Sequence, residues 1–214
     1  FNKLGLSYIP PELRENMGEI EAAESNNIPK LIDERDIKGI FHVHTTYSDG
    51  ANYLDEIVDA ARERGYKYIG ITDHSKSAFY ANGLKNEDIL RQFHEINGLN
   101  EKYKDITILK GIESDELKDG SLDYDEETLK KFDFIIASVH SNFKMSKEDM
   151  TERILNAVKN KYTKILGHPT GRILLERDGY DIDIYKIIDA AAEYGKVIEI
   201  NANPYRLDLD WRYI

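Results

Sequence analysis

From Ile40 onward the chain alternates between short apolar, β-branched runs and longer stretches of helical periodicity. The runs 40–44 (IFHVH), 67–72 (KYIGIT), 106–112 (ITILKGI), 133–139 (DFIIASV), 163–167 (TKILG) and 196–201 (KVIEIN) read as strands. Stretches 52–65, 86–103, 126–131, 147–160 and 183–195 read as helices. Strands that alternate with amphipathic helices predict βαβ units and a parallel sheet. Strands that are mostly apolar predict cover on both faces of that sheet. Six such units fit either a doubly wound sheet or most of a barrel. No glycine-rich dinucleotide fingerprint follows the first strand and no P-loop is present, so the α/β reading favours a TIM-like barrel with fewer than eight strands. Residues 1–39 are different in kind. They hold Pro10-Pro11, Pro29 and Asn26-Asn27 and show no strand pattern. One helix is expected there, from Pro11 to about Glu24, with proline at its start. This segment reads as a connector or collar.

Composition narrows the classes. The chain has 214 residues, 41% hydrophobic and 32% charged, which suits a folded chain with one sizeable core. Asp and Glu outnumber Lys and Arg by 40 to 29, a formal charge of −11. That excludes a broad basic surface able to hold nucleic acid by itself. It leaves room for a small positive site or for charge offset by bound cations. There is no cysteine, which excludes disulfides, thiolate metal sites and cysteine nucleophiles, and fits a cytoplasmic protein. No apolar run is long enough to span a bilayer, so no membrane partner is expected.

The histidines carry the chemistry. Five of the six fall at or just after the carboxyl end of an expected strand. His42 and His44 close the first, His74 follows the second, His140 the fourth, and His168 ends the fifth. The third strand ends in Glu113 instead. In a barrel these ends converge on one rim, where catalytic groups collect. His42-Val43-His44 is a period-two pair whose imidazoles share a face, within reach of one cation. Asp49 adds a nearby carboxylate, or caps the following helix. Pro169 predicts an extended backbone at His168. Each residue has an ordinary structural explanation, but together they read as a metal site. His94 lies mid-helix and is expected to be a surface or packing residue. The acidic run 113–127 is expected to be a solvated loop apart from Glu113, with Asp115 and Asp119 shaping the turn at Gly120. Arg172 and Arg206 follow strand ends and either hold substrate phosphate or make structural ion pairs. Glu199, Asn201 and Asn203 share one face of the sixth strand. Asp73, Asn201 and Asn203 are expected to orient ligands or substrate through hydrogen bonds.

The set His42-x-His44, Ser48-Asp49-Gly50, Thr72-Asp73-His74, Gly111-Ile112-Glu113, Ser138-Val139-His140 and Gly167-His168-Pro169 resembles the PHP superfamily, named for polymerase and histidinol phosphatase. Further stretches resemble the PHP module that follows the polymerase domain in bacterial and archaeal family X DNA polymerases. These are Tyr8–Glu15, Gly120–Tyr124, Gly167–Arg172 and Glu199–Leu209. The resemblance covers essentially the whole chain. It makes residues 1–39 a connector from a polymerase domain in cis, and 40–214 the PHP domain. It implies a distorted (β/α)7 barrel with three divalent metals, manganese or zinc, with iron as a further option. His42, His44 and Glu113 match the ligands of one metal. Glu113 and His140 match those of a second, and Asp49, His74 and His168 those of the third. The family pattern closes with Asp-x-His on the last strand. This chain stops at Ile214 before such a motif, so the resemblance implies a last strand missing and one aspartate ligand with it. Glu116 also departs from the pattern, which usually carries an aliphatic residue there.

The implied activity is metal-dependent phosphoester hydrolysis, as a 3′–5′ exonuclease on single-stranded DNA 3′ ends in DNA repair. The alternatives are a small-molecule phosphatase resembling histidinol phosphatase, and a non-catalytic scaffold module.

Overall fold

The structure, a computed structural model, describes residues 1–213. The chain divides into two compact units, Phe1–Ile37 and Lys38–Ile214. In the first, the single helix expected from Pro11 to Glu24 is broken. A 3-10 turn covers Pro11–Leu13, and helix α1 covers only Glu19–Glu24. Asn16 and Gly18 between them adopt positive φ. The Glu19 carboxylate accepts from the backbone N–H groups of Asn16 and Met17, so the chain turns sharply into α1 instead of continuing a helix.

Among the described residues, the second unit holds six strands and five α-helices. The strands are β1 (Gly39–Ile40), β2 (Tyr68–Ile71), β3 (Thr107–Asp115), β4 (Phe134–Ser138), β5 (Thr163–Leu166) and β6 (Val197–Ile198). The helices are α2 (Leu54–Glu63), α3 (Asn86–Lys102), α4 (Glu126–Leu129), α5 (Lys147–Lys159) and α6 (Ile184–Glu193). All neighbouring strands are parallel, and their order in the sheet is their order in the chain. Simple sequential order curls a parallel sheet toward a barrel and gives no switch point of the doubly wound kind.

Apolar spacing explains the layers. In α3 the buried Ile89, Phe93, Ile96 and Leu99 fall on one face. Leu54 and Val58 of α2, Ile69 and Ile71 of β2, and Ile96 of α3 form one cluster between sheet and helices. Met150, Ile154 and Val158 of α5 pack with Leu166 and Ile187 in another. On the opposite face, the Phe134 ring fills the space beside β2 and β3. It fits because both facing positions are glycine: a Cβ on Gly70 or Gly111 would lie 2.5 Å from Phe134 Cζ.

The first and last strands are short, as edge strands with one partner often are. Regular strand covers only Gly39–Ile40 where 40–44 is expected, and only Val197–Ile198 of 196–201, although single backbone bonds continue beyond them, from the Thr72 N–H to the Val43 carbonyl and from the Glu199 N–H to the Leu166 carbonyl. Beyond Ile40 the Thr72 hydroxyl accepts from the Val43 N–H at 3.0 Å, in place of a backbone carbonyl. The result is a curled half-barrel, in agreement with a distorted TIM-like barrel that lacks a strand. Among the described residues, no helix is long and apolar enough to cross a membrane.

Candidate metal centre

Every strand end delivers a polar group to the same rim, and Glu113 lies at its centre. Its carboxylate is 1% exposed, and five imidazoles approach it. His42 Nε2 lies at 3.1 Å, His44 Nε2 at 3.4 Å, His74 Nδ1 at 3.1 Å, His140 Nε2 at 3.2 Å and His168 Nε2 at 2.8 Å. The His42 and His44 rings stack, with centroids 5.3 Å apart and planes at 22°. The period-two geometry therefore persists past the end of regular β1.

Three groupings bring ligand-type atoms within 4.8 Å of one another: His42, Glu113 and His168; His44, Asp49 and His74; and His74, Asp115 and His140. This partition differs from the one the resemblance implies. His168 comes together with His42 and Glu113, and His44 with Asp49 and His74. The exposed Asp49 approaches His44 Nδ1 at 3.2 Å and His74 Nε2 at 3.6 Å.

Two carboxylates orient the cluster from behind. Glu199 Oε1 lies 2.6 Å from His42 Nδ1, and its Oε2 accepts from the His168 N–H at 2.7 Å. Asp115 Oδ1 lies 2.7 Å from His140 Nδ1. Sequence reading singled out neither as part of the site. Asp115 does not shape the turn at Gly120: β3 runs on through Asp115, which is buried. Asp119 does shape that turn, accepting from the Ser121 N–H at 3.0 Å. The signal was available, because Glu113 and Asp115 keep the strand's period of two and so share a face.

His168 also departs from expectation. Its φ is +24°, not extended. Fixed partners impose this: Glu199 holds its N–H, Glu113 its Nε2, and Asp208 accepts from the N–H groups of Thr170 and Gly171 that follow. Strain of this kind survives only where surrounding contacts over-determine it.

The electrostatics suit cations. Burial opposes charge on His42 and His140, yet Glu113, helped by Glu199 or Asp115, pushes both up to about 10. His74, where burial dominates and His44 and His140 add to it, is pushed down to about 4. Burial works against the Glu113 carboxylate too, but His140 and His42 hold it well below the usual range. Carboxylates placed to stabilise protons on buried imidazoles stabilise metal ions in the same place. In addition, the buried His44 Nδ1 and His74 Nδ1 face carboxylates without hydrogen-bond geometry. Five imidazoles and three carboxylates, with no cysteine, form a donor set suited to zinc, manganese or iron. The residues fit a metal centre.

The remaining expected residues are distributed around this core. Asp73 is fully buried and touches no imidazole through a hydrogen bond. It accepts instead from Thr45 N–H (2.7 Å) and hydroxyl (2.8 Å), Ser48 N–H (3.2 Å) and hydroxyl (2.5 Å), and Gln92 Nε2 (2.6 Å). It thereby ties the His44–Asp49 loop to the end of β2. Asn201 donates to Glu199 Oε2 at 3.3 Å, and its Oδ1 accepts from the Asn203 N–H at 3.0 Å. Arg206, Asn201 and Asn203 line the cavity of about 790 Å³ above the histidines; Arg172 does not. Arg172 donates to the carbonyls of Arg206 (3.0 Å) and Leu207 and pairs with Asp210 at 2.9 Å. His94 is exposed on α3.

Comparisons with known proteins show the family. The chain is 45% identical over 205 residues, 96% of its length, to the DNA polymerase/3′–5′ exonuclease PolX of Bacillus subtilis. It is 36% identical over 171 residues to a probable phosphatase of Caldanaerobacter subterraneus subsp. tengcongensis. It spans 36% of the first relative and 62% of the second. Its fold matches that of histidinol phosphate phosphatase from Lactococcus lactis, solved with zinc, L-histidinol and phosphate. That match has a TM-score of 0.52 at 20% identity and covers 77% of this chain and 73% of the other. The family model of the PHP domain matches residues 41–203, and the chain belongs to that family.

Proposed function

We propose that the chain is a metal-dependent phosphoesterase whose substrate is the 3′-terminal phosphodiester of single-stranded DNA. The single observation that carries the hydrolytic reading is the buried Glu113 carboxylate with five imidazoles within 2.8–3.4 Å of it. His42, His44, Asp49, His74, Glu113, His140 and His168 hold divalent ions, three in number, manganese or zinc, with iron as the further option. Bound ions of this kind supply Lewis acidity and a water of lowered pKa.

The chain's own residues do the rest. Glu199 and Asp115 fix the rings of His42 and His140, so that the nitrogens facing Glu113 are presented to a cation. Arg206 contacts substrate phosphate. Arg172 acts through it, holding the Arg206–Leu207 backbone with its guanidinium. Asn201 and Asn203 support Glu199 and the Arg206 loop. Asp73 keeps the His44–Asp49 loop in register.

The DNA reading is supported by the 45% identity to a relative named as a DNA polymerase and 3′–5′ exonuclease. On this reading a family X polymerase domain is the partner in cis, residues 1–39 are the connector to it, and the setting is DNA repair. A second reading, a small-molecule phosphatase, draws support from the 36% identical relative of which the chain spans 62%. Turnover of a 3′-labelled single-stranded oligonucleotide and of histidinol phosphate, with added manganese, separates the two. Release of 3′ nucleotides that stops on chelation is expected. Turnover of histidinol phosphate alone would replace the DNA reading, and turnover of neither would remove the catalytic claim.

A further inference from the structure

One aromatic side chain at this rim is not explained by packing. Tyr80 belongs to a short 3-10 turn, Phe79–Ala81, between β2 and α3. The turn is pinned from both sides. Ala78 and Ala81 are buried, at 0% and 1% exposure. The Ser77 N–H donates to Asp123 Oδ2 at 2.6 Å, and the Ser77 hydroxyl bonds the same carboxylate. The N–H of Gly83 closes back on the Ala78 carbonyl at 3.0 Å, and that of Leu84 on the His74 carbonyl at 2.8 Å. Yet Tyr80 remains 68% exposed.

Its position matters more than its exposure. Tyr80 lines the cavity above the histidines together with Arg206 and Asn203. Its ring centroid is 5.9 Å from that of His74, with planes at 64°, and 6.5 Å from that of His140, with planes at 72°. Both contacts are edge-to-face, and neither imidazole lies parallel on the tyrosine ring. Its hydroxyl makes no hydrogen bond among the described residues. An exposed ring carried on a pinned turn beside a cation site is placed to select a planar group a short covalent reach from a bound phosphate.

We propose that Tyr80 is a specificity-determining residue, stacking on the base of a nucleotide whose phosphate is held at the histidine rim. This rests on the phosphoester reading above and adds the class of group attached to the phosphate: a nucleobase and not an alkyl alcohol. Stacking is tolerant of base identity, because every base has a π face. Tyr80 therefore sets a preference for nucleotides without reading sequence.

The test is calorimetric binding of thymidine monophosphate and of glycerol phosphate to the manganese-loaded chain, as wild type, Tyr80→Ala and Tyr80→Phe. Wild type is expected to bind the nucleotide about tenfold or more tightly than glycerol phosphate. Tyr80→Ala loses that advantage and keeps its glycerol phosphate affinity, and Tyr80→Phe retains it. The proposal is overturned if wild type shows no preference, if Tyr80→Ala weakens both ligands alike, or if Tyr80→Phe behaves as Tyr80→Ala. Hydrolysis measured in parallel keeps the two claims apart. A Tyr80-dependent preference without turnover upholds stacking and removes the hydrolytic reading. Turnover with a preference independent of Tyr80 does the reverse.

Discussion

His42 Nδ1, just beyond β1, lies 2.6 Å from Glu199 Oε1, just beyond β6. These are the two edge strands of the sheet, and no ladder joins them. One short side-chain contact therefore links the open ends of the half-barrel at the level of the candidate site. The same carboxylate holds the backbone N–H of His168, so it orients groups from β1 and β5 at once.

Replacing Glu199 with Gln keeps the shape and removes the charge. Manganese affinity is expected to fall 10–100-fold, the usual effect of losing a carboxylate behind a ligating histidine. Calorimetric titration of the chelator-stripped protein checks this. An affinity within twofold of wild type would show that Glu199 serves only the fold.

Arg172 and Arg206 should separate by experiment. Arg206→Ala is expected to raise KM for a phosphoester about tenfold or more, because a charge-assisted contact contributes about 1.5–3 kcal/mol. Arg172→Ala releases two backbone carbonyls and one partner of Asp210. Its main effect is expected in urea unfolding, a loss of about 1–3 kcal/mol. Equal KM effects without a stability difference would contradict this division.

Asp73 accepts five hydrogen bonds in full burial. Asp73→Asn turns a two-oxygen acceptor into a group whose amide faces donors, and leaves part of the network unpaired. A loss of about 2–4 kcal/mol is expected by denaturant unfolding. A change below about 0.5 kcal/mol would mean the network relaxes around the amide.

Glu116 gives a pH-dependent case. It is 1% exposed, and neither carboxylate oxygen has a hydrogen-bond partner. Burial pushes it up to about 8, only partly offset by Arg153, whose guanidinium bonds the Glu116 backbone carbonyl instead. The folded chain thus binds a proton that the unfolded chain releases near 4.5. Stability contributed by this group is present below pH 4.5 and is lost as pH rises toward 8. Glu116→Gln is expected to stabilise the protein by about 1–3 kcal/mol at pH 8, and by much less at pH 5. Thermal unfolding at the two pH values decides, and an equal effect at both would refute the assignment.

What could be read from the sequence follows from which signals are local. The strand–helix alternation and the histidines at strand ends are local, and they place the rim correctly. His42-Val43-His44 works because period two survives even where the ladder stops. The break between Pro11 and Glu24 is not visible in periodicity, because it depends on the Glu19 side chain reaching back to Asn16 and Met17. Asp115 was hidden inside an acidic run, where composition suggested a loop and only strand register reveals a buried face. The role of Glu199 depends on a contact 157 residues away in the chain, and the φ of His168 on partners from three other segments. Tertiary context of that kind has no sequence pattern to announce it.

The most direct test of the central claim is the metal content of the purified chain. The protein would be stripped with chelator, reloaded with manganese or zinc, passed over a desalting column and analysed by elemental mass spectrometry beside Glu113→Ala. The account expects more than one ion per wild-type chain, approaching three, and a loss of most of them in Glu113→Ala. Fewer than one ion per wild-type chain, or equal loading of the two proteins, would contradict it.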